Sequence, residues 1–158
     1  MMGAPDLRAF AYPLEQVQRQ RQWRLDSALA RLGELRRQVA ECETLLARTK
    51  QDCVTHAAQA ARLWAARADP AAQTALLGYV ASLHHARVDA ERDMVSLKAR
   101  AEHAQRACAL QQDQLEVLSR HRADELKAFT SEQHRRSGVQ ADQDWLGRES
   151  YSLGTGAT

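Results

Sequence analysis

Histidine and cysteine are the residues of this chain with the greatest scope for chemistry. Its six histidines could ligate a metal or act as acids and bases, and its three cysteines could act as nucleophiles. No two histidines have the i, i+4 spacing around a glutamate that metalloproteases use. His103 and Cys108 are five residues apart, which directs them to different faces of a helix. We therefore interpret the histidines as solvated helix positions and predict no metal site.

The three cysteines, Cys42, Cys53 and Cys108, also have a simpler explanation than catalysis. They are odd in number and lack CxxC spacing, which favours reduced thiols. All three fall on apolar positions of helical repeats, where a small buried side chain accounts for them. The chain also has no GxxxxGK[ST], GxGxxG or GxSxG motif. We expect a non-enzymatic protein without a cofactor.

The composition favours long helices and excludes several classes of partner. Charged residues make up 27% of the chain and aromatic residues 5%, with only 7 glycines and 3 prolines. The net charge is +2 and the two signs are interleaved, so nucleic-acid binding is only a weak alternative. No apolar run is long enough to span a bilayer, and no secretory signal is visible. We expect a cytoplasmic protein without direct membrane insertion.

Apolar residues recur along the chain with the 3–4 alternation that is typical of a coiled-coil seam. In the first half, one series is Leu25, Leu32, Val39, Leu46, Cys53 and Ala60, and the other is Ala28, Leu35, Cys42, Thr49, His56 and Leu63. In the second half, the seam is Leu76, Val80, Leu83, Arg87, Ala90, Met94, Leu97, Ala101, Ala104, Cys108, Gln111, Leu115 and Leu118. The pattern weakens at Arg122 and Glu125 and returns at Leu126 and Phe129.

Asp69-Pro70 is the clearest break between the two seams. Aspartate is a good helix N-cap and proline a good first helical residue, so one helix should end near Ala68 and another begin at Pro70. The prediction is an all-α fold, an antiparallel coiled-coil hairpin of two long helices over residues 13–148 that bends at about residue 69. Residues 1–12 are predicted to be an irregular lead-in and 149–158 a disordered tail, and Gly138 is a candidate kink or helix end. A single bent helix in a parallel oligomer is the alternative.

Apolar side chains cluster on both sides of the predicted bend. Trp64 precedes it, and Leu76, Leu77, Tyr79 and Val80 follow it. Only part of this set can face the opposing helix. The remainder would either form an exposed binding patch or simply close the end of the hairpin.

Several stretches resemble the FliJ/YscO family, the stalk proteins of flagellar and virulence type III secretion ATPases. The lead-in ends F-x-Y-P-L at residues 10–14, and the first helix opens EQVQRQRQWRLDSALARL. The second helix carries LLGYVASL at residues 76–83 and LEVLSRHRADELKAF at residues 115–129. The chain length and the two-helix layout are also similar to those of the family. The resemblance covers about residues 10–148.

The resemblance implies a non-catalytic stalk of a type III secretion apparatus at the bacterial inner membrane. Its paired helix ends would bind the hexameric ATPase and its bend would bind the export-gate membrane protein. Some members of the family also bind secretion chaperones, which the resemblance implies as further partners. The residues that correspond to the ATPase contact are Val17, Arg19, Arg21, Arg24, Phe129, Gln133 and Arg136. Those that correspond to the gate contact are Tyr79, Val80 and Leu83. A generic coiled-coil scaffold or a chaperone-escort protein is the alternative function.

Overall fold

The computed structural model describes residues 7–67 and 69–154, and almost all of them are helical. A 3-10 turn, Leu7–Ala9, precedes helix α1, Glu15–Ala65, and helix α2 runs over Pro70–Gly154. No strand occurs in these two ranges. The side chain of Gln73 donates to the Leu63 carbonyl oxygen at 3.2 Å, and Lys98 pairs with Glu43 at 3.5 Å. The helices therefore pack antiparallel, which confirms the predicted all-α hairpin.

The bend has a defined cap on each side. Before it, Arg67 takes the left-handed conformation, with φ of 50°, in which a helix often terminates. After it, an oxygen of the Asp69 carboxylate accepts a hydrogen bond from the Ala71 N–H at 3.3 Å, as an N-cap does. Pro70 is the first residue of α2, where its missing N–H leaves no hydrogen bond unmade. The turn lies where the Asp-Pro signal indicates it.

The chain divides into two compact units, each containing a part of α1 and a part of α2. The unit Arg24–Gln111 is held by the seam. Its tightest cluster is Leu32, Leu35, Ala104 and Cys108, with Ala28 and Ala101 packed against it. Every predicted seam residue in this unit is buried or half-buried, which confirms the heptad register. The apolar core is narrow, as a single helix pair requires.

The other unit comprises Met1–Trp23 and Gln112–Thr158, of which residues 7–23 and 112–154 are described. Tyr12 and Leu115 are its buried residues, at 5% and 8% exposure. The exposed positions Arg122 and Glu125 interrupt the seam, and Leu126 and Phe129 are again half-buried. From residue 134 to residue 152 every side chain is exposed. The seam of this unit therefore ends well before α2 does.

The structure differs from the sequence prediction at both termini. α2 continues through Gly138 without a break and includes residues 149–154, which were expected to be disordered. A helix satisfies its own backbone hydrogen bonds, and one internal glycine costs only about 1 kcal/mol, so Gly138 does not by itself end α2. In the lead-in, residues 7–9 form a turn and Tyr12 is buried, so this part is ordered. Residues 1–6 and 155–158 of the predicted lead-in and tail lie outside the described residues.

Neither described helix combines the length and the hydropathy that crossing a bilayer would need.

Candidate functional site

The lead-in is fastened to α2 by one buried tyrosine. The Tyr12 hydroxyl donates to the Leu118 carbonyl oxygen at 3.2 Å and lies 2.9 Å from Nδ1 of His121. The two rings are 5.7 Å apart, and the Arg122 guanidinium lies 5.8 Å from the centre of the Tyr12 ring. We call these four residues, Tyr12, Leu118, His121 and Arg122, the Tyr12 latch.

The single hydrogen of the Tyr12 hydroxyl cannot serve both of its partners in the Tyr12 latch, so the role of His121 depends on which partner receives it. A tyrosine hydroxyl has a single hydrogen, and a carbonyl oxygen can only accept. When Tyr12 donates to Leu118, Nδ1 of His121 must carry a hydrogen and donate to the tyrosine oxygen. Nε2 of the same ring then faces the Glu125 carboxylate at 3.8 Å. The latch therefore uses hydrogen bonds, an aromatic contact and a cation–π contact together.

An aromatic pair extends this attachment along α2. The rings of Phe10 and Phe129 are 5.5 Å apart and tilted by 58°, a favourable arrangement for two aromatic rings. At the start of α1, Gln18 lies within hydrogen-bonding distance of both Ser119 and Arg122. Phe10, Tyr12 and Gln18 are thereby held to one stretch of α2.

The structure separates the ATPase-contact candidates of this unit into exposed and packed residues. Val17 is 41% exposed, and Arg19 is exposed while paired with Glu15 at 3.0 Å. Arg21 is half-buried and donates to the Gln114 side chain of α2. The packed candidates therefore also hold the helix ends together.

The candidates on α2 divide in the same way. Phe129 is half-buried beneath Phe10, Gln133 is half-buried, and Arg136 is exposed. The remaining candidate, Arg24, belongs to the other unit, where it is exposed on α1. The exposed candidates Val17, Arg19, Arg24 and Arg136 are the ones that a partner could reach without opening the latch.

The charge of Arg136 is partly offset within α2. Glu132 accepts hydrogen bonds from Arg136 at 2.8 Å and from two nitrogens of Arg135 at 2.8 Å each. These bonds from Arg135 and Arg136 lower the pKa of the exposed Glu132 carboxyl to about 2. Glu132 is therefore ionised at neutral pH, and this triplet carries one net positive charge.

The gate-contact candidates lie near the bend and are only partly accessible. Tyr79 is 47% exposed, and its ring packs edge-on against His56 with the ring centres 4.8 Å apart. Val80 and Leu83 are half-buried, as predicted seam positions. Trp64 is 62% exposed and Leu77 47% exposed. The seam thus takes up part of the apolar cluster, and the rest faces outward.

Sequence reasoning missed the latch because it treated the lead-in as irregular and His121 as a solvated helix position. The available signal was local: Phe10 and Tyr12 are two aromatic residues in a chain that has few. Large aromatic side chains rarely remain exposed in pairs, because burying each one contributes a large hydrophobic free energy. Their partners on α2 could not be identified from spacing.

Comparison with protein-family models, with curated proteins and with solved structures found no match. In residues 7–67 and 69–154 no group of three histidine, cysteine, aspartate or glutamate side chains is placed to hold a metal ion. A function must therefore be argued from the surfaces of the two units and from the family resemblance of the sequence.

Proposed function

We propose that this protein is a non-catalytic stalk of a bacterial type III secretion apparatus. Its paired helix ends bind the hexameric secretion ATPase, and the residues after the bend bind the export-gate membrane protein. It works in the cytoplasm, at the periphery of the inner membrane. The proposal combines the FliJ/YscO resemblance with one structural observation, the Tyr12 latch.

The latch supports this function because it fastens the part of the hairpin that would meet the ATPase. Chain termini ordinarily fray unless other contacts tie them down. Here Tyr12 is buried, hydrogen-bonded to Leu118 and in contact with His121, and Phe10 packs on Phe129. A stalk seated in a rotary ring needs such an attachment, since a frayed end could not transmit movement between partners.

Exposed arginines supply a means of recognition. Arg19, Arg24 and Arg136 are exposed, and a ring with an acidic surface would attract them. Exposed charges of this kind raise the rate of encounter and select the partner more than they add affinity. Near the bend, Trp64, Leu77 and Tyr79 offer the large apolar side chains that dominate binding energy at interfaces.

The test uses the purified cognate secretion ATPase and charge reversals at exposed arginines. Arg24→Glu with Arg136→Glu should weaken binding to the ATPase on the order of tenfold, mainly through slower association. Arg48→Glu with Arg62→Glu is the matched control, because these arginines are also exposed and sequence reasoning assigns them no contact. Binding that is equal for the two double variants would remove the main support for the stalk.

A second pair of variants separates the bend from the helix ends. Trp64→Ala with Leu77→Ala should leave ATPase binding unchanged and reduce protein export in cells, because both side chains are exposed and neither belongs to the predicted seam. If the end variants retain ATPase binding and the bend variants retain export, the generic scaffold or chaperone-escort function becomes the better explanation.

A further inference from the structure

A shallow groove in the unit Arg24–Gln111 has an unusual charge distribution. It encloses about 350 Å³ between the two helices, and its floor includes the buried Leu35 and Ala104 together with Ala99. Arg31 on α1 and Arg100 on α2 line its sides. Neither guanidinium takes part in an ion pair within the part of the chain that the structure describes. We call this feature the Arg31–Arg100 groove.

A second groove of the same unit also has cations in its lining, but these cations are paired with a carboxylate. It also lies between the helices and is lined by Lys50, Cys53, Val80 and Arg87. There the Glu91 carboxylate lies 3.8 Å from Lys50 and 3.7 Å from Arg87, so the cations already have a counter-ion. Neither groove has a carboxylate in its lining, and they differ in that no ion pair of the described residues includes Arg31 or Arg100, whereas Glu91 pairs with both Lys50 and Arg87. The apolar floor and two unpaired cations of the Arg31–Arg100 groove suit a ligand that is both apolar and acidic.

The end of α2 carries exposed apolar side chains and a net negative charge, which complement the apolar floor and the cations of the groove. Val139 is 45% exposed and Leu146 59% exposed, and they are seven residues apart on a part of α2 in which every described side chain is exposed. Residues 137–152 contain three acidic residues and one arginine, which gives them a net charge of 3 × (−1) + 1 = −2. Asp142 lies between the two apolar positions and Glu149 follows them. At these spacings Val139, Asp142, Leu146 and Glu149 lie on one face of the helix, so this face presents exposed apolar and acidic side chains together.

The lengths of the two surfaces agree. Val139 and Leu146 are seven residues apart, or about 10 Å along a helix, and the groove follows α2 from Ser96 to Ala104, or about 12 Å. The alanines of the groove are small enough to let a third helix approach closely. Docking would also supply the packing that the end of α2 lacks, since an isolated helix of this length with two internal glycines is marginal in water.

We propose that the Arg31–Arg100 groove binds the α2 end of a second copy of this chain. Val139 and Leu146 of the second copy lie on the apolar floor, and its acidic residues face Arg31 and Arg100. Because the groove of one copy takes the end of another, the contact is head-to-tail, and assembly grows with protein concentration unless the arrangement closes into a ring. The inference does not depend on the secretion function.

The first experiment measures binding of a fluorescein-labelled peptide, residues 137–152, to the full chain by fluorescence anisotropy. Arg31→Glu with Arg100→Glu should weaken binding on the order of tenfold, since two attractive contacts become repulsive. The control, Arg48→Glu with Arg62→Glu, removes the same charge at exposed arginines elsewhere and should bind within about twofold of the original chain. All of these positions are surface-exposed, so circular dichroism should show an intact hairpin for each variant.

A charge exchange makes the result specific to the groove. The peptide carrying Asp142→Arg and Glu149→Arg should bind the Arg31→Glu, Arg100→Glu chain better than it binds the original chain. Sedimentation velocity of the full chain should show mass that increases with concentration, and the groove variant should remain smaller at each concentration. The proposal is overturned if the peptide fails to bind, if the groove variant binds it as the control does, or if the exchanged pair shows no recovery.

Discussion

The two units hold α1 against α2 by different means. In Arg24–Gln111 the contact is a repeating apolar seam of leucine, alanine, methionine and cysteine side chains, in which Leu32 and Cys108 are among the most buried residues. In the unit of the helix ends the last seam residues, such as Leu115, are supplemented by Tyr12 and Phe10, which precede α1 and stand outside any repeat. A repeat distributes its stability over many similar positions, whereas the latch concentrates it in a few directional contacts.

This difference also concerns alignment of the helices. A heptad seam tolerates a shift of one helix by seven residues better than it tolerates a shift by one, because only the former restores apolar contacts. The hydrogen bonds of the Tyr12 hydroxyl are directional, and their partners are one carbonyl oxygen and one ring nitrogen of α2. The latch therefore specifies which residues of α1 and α2 are neighbours, which the seam does only in part.

The largest expected effect is a buried charge in the seam. Leu32 is 5% exposed, so Leu32→Asp should lower the free energy of unfolding by about 4 kcal/mol, because a desolvated carboxylate has no partner there. Thermal denaturation followed by circular dichroism measures the change. Arg62→Ala, at an exposed position of the same helix, should alter the free energy by less than about 0.5 kcal/mol. Equal melting of the two variants would mean that the seam is not what holds this unit.

A smaller effect is expected from the latch, and it should be local. Tyr12→Phe keeps the ring and removes the hydroxyl that contacts Leu118 and His121, at a cost of about 1 kcal/mol. Hydrogen exchange of the Gln18 and Arg19 amides, which lie far enough into α1 to bond to a carbonyl one turn earlier, should accelerate by about fivefold, with little change near Leu32. Tyr79→Phe is the matched control, since the Tyr79 ring contact with His56 does not need the hydroxyl. Uniform acceleration along the chain would show that the two units do not differ in this way.

The bend offers a stabilising substitution that involves neither the seam nor the latch. Arg67 has a φ of 50°, a conformation that is unfavourable for any residue with a Cβ atom. Arg67→Gly should therefore raise the free energy of unfolding by about 0.5 to 1 kcal/mol. Arg62→Gly, inside α1, should lower it by about 1 kcal/mol. Chemical denaturation of both variants would reveal the opposite signs, and destabilisation by Arg67→Gly would contradict the account of the bend.

The smallest expected effect is the dependence of stability on pH through the ionisation of Glu132. The pKa of Glu132 is lowered from 4.5 to about 2 by its hydrogen bonds with Arg135 and Arg136, so the folded helix favours the ionised form. Its contribution to stability is present above pH 4.5 and is lost as the pH falls toward 2. Because the carboxylate is exposed, global melting should hardly change with it.

The carboxyl resonance of Glu132 in an NMR titration measures this pKa directly. Arg135→Gln should move the midpoint upward, toward 4.5, because it removes the arginine whose hydrogen bonds lower the pKa most. A midpoint near 4.5 in the original chain would show that the triplet does not form in solution.

The sequence by itself determined the fold class, the residues of both seams and the position of the bend. The periodicity of apolar residues determined the first two, and Asp69-Pro70 determined the third. A 3–4 repeat of apolar residues can be buried only by another helix, and Asp69-Pro70 both caps one helix and prevents simple continuation of the other. Even the polar seam positions, such as Thr49, Arg87 and Gln111, were correctly placed, because helical geometry repeats whatever the side chain. Local rules suffice where the structure itself is periodic.

Only the tertiary structure decided which non-periodic residues meet. Tyr12 and His121 are 109 residues apart, and no spacing rule connects an aromatic residue in a lead-in to a histidine in a distant helix. The Arg31–Arg100 groove likewise depends on which cations lack a carboxylate across the helix pair. The division of the apolar cluster at the bend, with Trp64 outward and Leu83 against the seam, follows from how the helices terminate. In each case the deciding interaction joins residues distant in sequence, so it exists only once the helices have packed.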